Sequence, residues 1–201
     1  MKNSSYIHGH EYVDLGLPSG LKWATCNLGA NKPEDYGNYY AWGETEAKST
    51  YTKDNSHTYG LADYSALGQG IADENLKLTP SYDAARANWG GSWRLPTMKE
   101  LEELKNKCIW KWTTQNGVKG CQVIGPNGNS IFLPAAGSRY ESSLSGAGNY
   151  GRYWSSMSRF HWEWNGKEDY ADADCLDFEV GRVALFSRYR HGGRSVRPVS
   201  E

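Results

Sequence analysis

Apolar positions along this 201-residue chain come in short alternating runs broken by Gly, Asn and Pro, with few long helical stripes. "EYVDLGLPSGLKWATCNLG" (11–29) predicts two short strands around a Pro18-Ser19-Gly20 turn. "YYAWGE" (39–44) predicts another strand. Residues 45–82 are rich in Ser, Thr, Tyr, Asp and Gly with little periodicity, and predict an ordered but irregular excursion. "YDAARANWGGSW" (82–93) opens as a short helix and breaks at Gly90-Gly91. The clearest local signal follows: Thr97 precedes a helical run and Glu100 lies three residues on, the spacing of a capping box. Met98, Leu101, Leu104 and Cys108 then recur on one helical face. Beyond it, Asn116-Gly117 and Asn127-Gly128 are strong turn signals between alternating segments, which predicts a three-stranded meander. The remainder, 137–200, is rich in Gly, Ser, Arg and Tyr, with strand-like pieces at 153–156, 174–179, 182–186 and 194–199 and no fixed-period repeat. The pattern predicts an α+β domain over 1–201, with one or two helices and many short antiparallel strands.

Composition narrows the function. The chain is long enough to bury a hydrophobic core without a structural metal. A net charge of −1 gives no basic footprint for nucleic acid. No apolar stretch reaches membrane-spanning length, and "MKNSSYIHGHEYVDLG" carries no apolar signal segment. Cys26, Cys108, Cys121 and Cys175 form no C-x-x-C pair, so a zinc knuckle is not expected; they read as buried free thiols, with three pairings open in an oxidising compartment. His8-Gly9-His10 reads as an idle terminal pair. No cofactor and no metal site are expected. The unusual numbers are 9 Trp and 14 Tyr against 4 Phe, because Trp and Tyr serve both cores and binding surfaces.

The most unusual stretch is "EVGRVALFSRYRHGGRSVRPVS" (179–200). A core strand would be more aliphatic, and a solvated loop would carry Lys, Glu and Ser. Tyr offers large area with few torsions to freeze, and Arg offers a rigid planar donor fork. Contact roles are therefore expected for Phe186, Arg188, Tyr189 and His191, with Arg182, Ala184, Ser187, Asp174 and Asp177 as further candidates. Arg194 and Arg197 read as structural. Strand alternation puts Asp174 with Leu176 on one side and Cys175 with Asp177 on the other, so both acids cannot face one ligand without a bulge. "AAGSRYESSLSGAGNYGRYWSS" (135–156) is a second candidate surface, placing Tyr140, Asn149 and Arg152 on loops and Tyr153 and Trp154 in the core.

"EYVDLGLPSGLKWATCNLGA", "GNYYAWGET", "SWRLPTMKELEEL", "GPNGNSIFLPAAG", "YWSS" and "GGRSVRPV" resemble, in order, the major paralogous domain family named after Fibrobacter succinogenes, abundant in gut Bacteroidetes. The resemblance covers nearly the whole chain. It implies a C-type lectin-like fold, related to that of the formylglycine-generating enzyme. Some members are the variable proteins of diversity-generating retroelements, in which adenine-directed mutagenesis rewrites codons near the 3′ end of the gene. The resemblance thus implies a diversified surface, here within about 138–195, that binds a macromolecular ligand, protein or glycan, from a cell surface or phage particle. An undiversified adhesion or structural module is the alternative, followed by a carbohydrate-binding lectin or an enzyme on the related fold.

The genetic code bears on this expectation. Changing the adenines of AAC or AAT never yields Lys, Glu, Gln, Met or Trp. Those types make up 40 of the 201 residues, yet in the 27 residues from Asp169 to Ser195 only Glu179 is one of them. "MSRFHWEWNGKED" (157–169) breaks the pattern and reads as a fixed loop, whose edge, Ser158, Arg159, Phe160 and His161, can add contacts. The Glu-Pro-Asn, Gln-Pro-Asp and Trp-Asn-Asp motifs that gather oxygens around calcium in sugar-binding lectins do not occur. Formylglycine generation would need a reactive Cys pair near the C-terminus, where only Cys175 lies, so an enzyme is not expected.

Overall fold

The computed structural model describes residues 5–159, 161, 162, 168, 169 and 172–201. It opens with β1 (Ser5–Ile7), β2 (His10–Asp14) and β3 (Lys22–Ala24), the last two joined through the predicted turn, where Gly20 takes φ +72° and donates its N–H to Leu17 O at 2.9 Å. The excursion then contributes α1 (Asp63–Gly68) and a 3-10 turn at Pro80–Tyr82. After these come α2 (Ala84–Trp89), α3 (Met98–Lys107), and the meander β4 (Ile109–Gln115), β5 (Val118–Ile124) and β6 (Ser130–Pro134). A small hairpin of β7 (Ser138–Tyr140) and β8 (Ser143–Ser145) leads to β9 (Tyr150–Ser158), then to the two-residue pair β10 (His161–Trp162) and β11 (Glu168–Asp169). The chain closes with β12 (Asp172–Glu179), β13 (Arg182–Tyr189) and β14 (Val199–Ser200). All pairings between these strands are antiparallel, in sheets β1-β2-β3-β14, β4-β5-β6 and β13-β12-β9 with hairpins β7-β8 and β10-β11. The protein is α+β, and among the described residues no helix is long and apolar enough to cross a membrane.

Several local expectations hold for the physical reasons behind them. Thr97 Oγ1 accepts from Glu100 N at 3.3 Å while the Glu100 carboxylate accepts from Thr97 N at 2.7 Å, so the capping box starts α3 and buries Leu101 and Leu104. Asn116 (φ +47°) and Gly117 (φ +84°) both take the left-handed conformation that a two-residue hairpin loop requires. Three expectations are corrected. The strand expected at 194–199 is reduced to isolated bridges at Arg194 and Ser195 and the short β14, because the segment threads between different partners instead of following one. Tyr40 and Arg194 form only an isolated bridge, and 39–44 is no strand, because the ladder slips after that one pair, Trp42 N bonding to Arg190 O instead of the in-register Gly192, and Gly43 at φ +75° ends the extension. The described residues also hold one more α-helix than expected: α1 has no side-chain cap, but Ala66 is buried against Ile71 and Leu78, and tertiary burial stabilises a turn that periodicity did not reveal.

Two apolar clusters pack on opposite faces of the β13-β12-β9 sheet. Tyr153, Leu176 and Phe178 join Trp23, Leu101, Leu104, Cys121 and Leu133 in one. Trp154, Ala173 and Cys175 join Tyr40, Trp42, Ala85, Leu95 and Val196 in the other. Tyr153 and Trp154 are thus both core, as expected, and all four cysteines are free thiols.

The segment 190–200 runs through the interior. Arg194 exchanges backbone bonds with Tyr40, Ser195 bridges Tyr153, and Val199 exchanges bonds with Arg94. Arg197 is buried: Nε and Nη2 donate to Asn27 Oδ1 at 3.0 and 2.8 Å, Nη1 to the Ala24 and Thr25 carbonyls at 2.9 and 2.8 Å, and Nη2 to Phe132 O at 2.9 Å. Arg197→Met should therefore cost at least about 3 kcal/mol, because several buried acceptors lose their donor at once, each worth about 1–3 kcal/mol. Trp154→Ala should cost about 3–5 kcal/mol through the cavity it leaves. Urea unfolding measures both, and a loss below about 1 kcal/mol at Arg197 would remove it from the set of residues that hold the sheets together.

Candidate functional site

β12 and β13 pair without interruption from Asp172 opposite Tyr189 to Glu179 opposite Arg182. One face therefore carries Cys175 opposite Phe186, Asp177 opposite Ala184 and Glu179 opposite Arg182; the other carries Asp174 opposite Ser187, Leu176 opposite Leu185 and Phe178 opposite Val183. β9 sets Trp154 beside Cys175, Arg152 beside Asp177 and Tyr150 beside Glu179. At the Cys175 end the first face is covered by the Trp154 cluster. Towards the β12–β13 turn it opens into a pocket of about 140 Å³, lined by Arg152, Asp177, Arg182, Phe186 and Arg188, with Tyr150, Phe178 and Glu179 completing the wall.

The charged groups of this pocket are tied together. Asp177 Oδ2 accepts from Arg152 Nε at 3.1 Å and from Arg188 through both Nε, at 3.1 Å, and Nη2. Cys175 Sγ donates to Asp177 Oδ1 at 3.3 Å; burial, with Asp177 beside it, pushes that thiol well above its usual range, so it keeps its proton. Arg152 Nη1 reaches Ser138 Oγ at 3.2 Å, and Arg182 lies 3.6 Å from Glu179. The guanidinium carbons of Arg182 and Arg188 each lie 5.0 Å from the Phe186 ring centre, and that of Arg152 lies 4.2 Å from the Tyr150 ring.

An aromatic group adjoins it, since Tyr189 follows Arg188 directly. The His191 ring lies 4.8 Å from Tyr59, 4.9 Å from Tyr140 and 5.6 Å from Tyr189, and its Nε2 is 2.7 Å from Tyr140 Oη. The Lys53 ammonium lies 5.2 Å from the Tyr59 ring centre and 5.9 Å from that of Tyr189. Burial, then the charges of Arg194, Lys53 and Lys48, lower His191 to about 4, so the ring is neutral at neutral pH. Arg194 lies behind the junction of the two groups, stacked 4.2 Å over Trp154 with Nη1 bonded to Tyr189 O at 2.9 Å. Burial lowers Arg194 to about 10, which leaves it a cation at neutral pH.

Of the residues singled out in the sequence, Arg152, Asp177, Arg182, Ala184, Phe186 and Arg188 share the open sheet face, and Tyr140 and Tyr189, nearly half exposed, belong to the aromatic group. Tyr140 and Arg152 lie on strands β7 and β9 rather than on loops, because the segment pairs into hairpin and sheet despite its glycines, and five further expectations are corrected. His191 is 1% exposed and supports Tyr140 from within, since the chain turns inward after Tyr189. Asp174 is buried on the face opposite Asp177, as alternation requires, and pairs with the exposed Arg159 at 3.3 Å. Ser158 is buried and bonded to Arg190. Ser187 lies on the face away from the pocket, and Asn149 is exposed in the turn before β9, outside both groups. Phe160 lies outside the described residues, as does part of the expected fixed loop at 157–169; His161 is described only as the start of β10. Arg194 and Arg197 are buried and structural, as expected.

The sequence reading missed Tyr150 and Glu179, which alternation from Arg152 and Asp177 would have supplied. It also missed Tyr59 and Lys53, whose excursion gave no periodic signal. Among the described residues no group of three or more His, Cys, Asp or Glu is placed to hold a metal. Compared with family models, with curated proteins and with solved structures, the chain finds no match in any of the three.

The folded state keeps His191 neutral down to about pH 4, whereas an unconstrained histidine titrates near 6.5. Between those values the unfolded chain binds the extra proton, so this contribution to stability is complete above about pH 6.5 and is lost as pH falls towards 4. His191→Gln should flatten that part of a Tm–pH profile. An unchanged profile would show that His191 titrates normally in the folded protein.

Proposed function

We propose that this protein binds a macromolecular ligand, protein or glycan, through a diversified face, and that it does so on a C-type lectin-like fold of the kind the resembled family implies. The observation that carries this reading is the division of one continuous segment. Arg182, Ala184, Phe186 and Arg188 point alternately outward from an edge strand, whereas everything from Arg190 to Ser200 is buried. Large sticky side chains on the open half are a poor choice for a merely solvated surface and a good one for contact. The buried half keeps its shape whatever the outward residues are.

The residue types on this face support the same reading in a narrower form. Arg152, Asp177, Arg182, Ala184, Phe186, Arg188 and Tyr189 are all types that AAC or AAT codons can reach, and Glu179, at the rim of the pocket, is the exception. Arg190, Arg194 and Arg197 are also reachable types, but burial removes them from the set free to change. The alternating positions of β13 carry the diversity, and the late arginines belong to the scaffold. Display on a cell surface or phage particle goes with this function.

Sequencing the gene across a population of cells tests the reading. Variation should concentrate in the codons for residues 182, 184, 186 and 188 and be absent at 190, 194 and 197, beside a near-copy of the 3′ end that differs at adenines and a reverse transcriptase gene. An invariant face with neither neighbour would make this a fixed adhesion module instead. As a physical counterpart, Arg182→Ser with Phe186→Ser should shift stability by no more than about 1 kcal/mol, as surface changes do. A loss of several kcal/mol would mean that the outward row is packing.

A further inference from the structure

The pocket on the open sheet face has its own electrostatic bias. Three guanidiniums, Arg152, Arg182 and Arg188, meet two carboxylates, Asp177 and Glu179, which leaves one surplus positive charge in a chain of net charge −1. Asp177 is already engaged at both oxygens, Oδ2 by the two arginines and Oδ1 by the Cys175 thiol. Among the described residues Arg188 Nη1 and Arg152 Nη2 have no hydrogen-bond partner, and Arg182 holds Glu179 only at 3.6 Å with its side chain 59% exposed. Asp177 thus fixes two arginine forks in place while the remaining N–H groups stay open to an incoming acceptor, an arrangement suited to bidentate recognition of a planar oxyanion.

The rings decide which ligand class brings that anion. Phe186 lies between Arg182 and Arg188 along the strand, each 5.0 Å from its centre, and Tyr150 is covered by Arg152 at 4.2 Å. A sugar needs an open ring face to stack on; of the three rings in the wall, Phe178 is buried in the cluster on the other side of the sheet, and Tyr150 and Phe186 already carry guanidiniums. The cavity, about 140 Å³, is also smaller than the several hundred Å³ of a site built for a free small molecule, and it suits one inserted side chain. The geometry points to a carboxylate subsite: this pocket takes the side-chain carboxylate of a Glu or Asp on an acidic stretch of a protein ligand. The inference rests on the recognition role proposed for this face.

Labelled poly-L-glutamate, titrated by fluorescence anisotropy at low salt, tests it on the full chain, with poly-L-lysine and polygalacturonate as parallel probes. Wild type should bind poly-L-glutamate saturably and ignore poly-L-lysine. Affinity should fall at least about tenfold in Arg182→Gln/Arg188→Gln, as expected when charge-assisted contacts to the ligand are removed. Should the double variant lose its fold, Arg182→Gln alone, at an exposed position, should still weaken binding severalfold. No saturable binding by wild type, or equal affinity in a folded double variant, would overturn the inference. Binding of polygalacturonate with no binding of poly-L-glutamate would overturn it too and assign the pocket to an acidic glycan. Gene diversity is measured separately, so a failure here leaves the diversified face standing, and an invariant gene leaves the carboxylate subsite standing.

Discussion

The Arg197 guanidinium stands where the N-terminal sheet, the meander and the C-terminal segment meet. It donates to the Asn27 amide oxygen and to the carbonyls of Ala24, Thr25 and Phe132, and Asn27 in turn donates to Tyr153 Oη at 3.1 Å. Among the described residues neither Arg197 nor Arg194 pairs with a carboxylate. Burial accordingly lowers the pKa of both. A buried cation without a counter-ion is costly unless its donors are well met. Arg194 meets this cost in part, stacking on Trp154 at 4.2 Å and donating Nη1 to the Tyr189 and Gly192 carbonyls, while among the described residues its Nε has no hydrogen-bond partner. The apolar clusters lie on opposite faces of the β13-β12-β9 sheet, and Arg190, Arg194 and Arg197 tie the C-terminal segment to the strands and loops around it.

That constraint explains how the open face is held. β13 is the edge of its sheet, and an edge strand with one side in solvent is easily bent or slipped. Here its inner row, Val183 and Leu185, packs against the cluster around Leu104 and Phe178, which fixes register, because a shift by one residue would turn the arginines inward. Its end is fixed by the turn into Arg190, whose Nε donates to Asp172 O at 2.9 Å and whose Nη1 donates to Thr58 O and Leu61 O. The strand is pinned from below and at its end, and the outward side chains bear little of that load.

How much of this could be read from the sequence depends on the range of the interaction. The capping box of α3, the Asn-Gly turns of the meander, the sidedness of Asp174 and Asp177 and the core role of Trp154 all follow from spacing within a few residues, and all stand in the structure. His191 was misplaced because nothing local tells Tyr189 from His191; only the inward turn of the backbone, sealed by Gly193 against the Tyr51 ring, separates exposed from buried. A Cβ on Gly193 would come within 2.8 Å of that ring. Tyr59 and Lys53 were missed for the same reason, since they reach Tyr189 from 130 and 136 residues away along the chain without any periodicity of their own. The α+β class was legible as a count of short strands and one strong helix. The positions that build the pocket were legible only as alternation within each strand, because their meeting depends on register.

The face also limits its own variation. Asp177 sits between Arg152 and Arg188, over the buried Cys175 thiol, and its side chain is only 13% exposed. Replacing one of the two arginines leaves the carboxylate with the other. Replacing both leaves a mostly desolvated anion with the thiol and the more distant charge of Arg194, which is a substantial penalty. Replacing Asp177 alone brings Arg152, Arg188 and the buried Arg194 together with no anion between them. Arg152, Asp177 and Arg188 therefore act as one unit, and changes among them do not add. Arg182, Ala184 and the exposed side of Phe186 carry no such debt. A scaffold of this kind offers two grades of variable position: an outer row that changes freely, and an inner trio that changes only in combinations that keep its charge balanced.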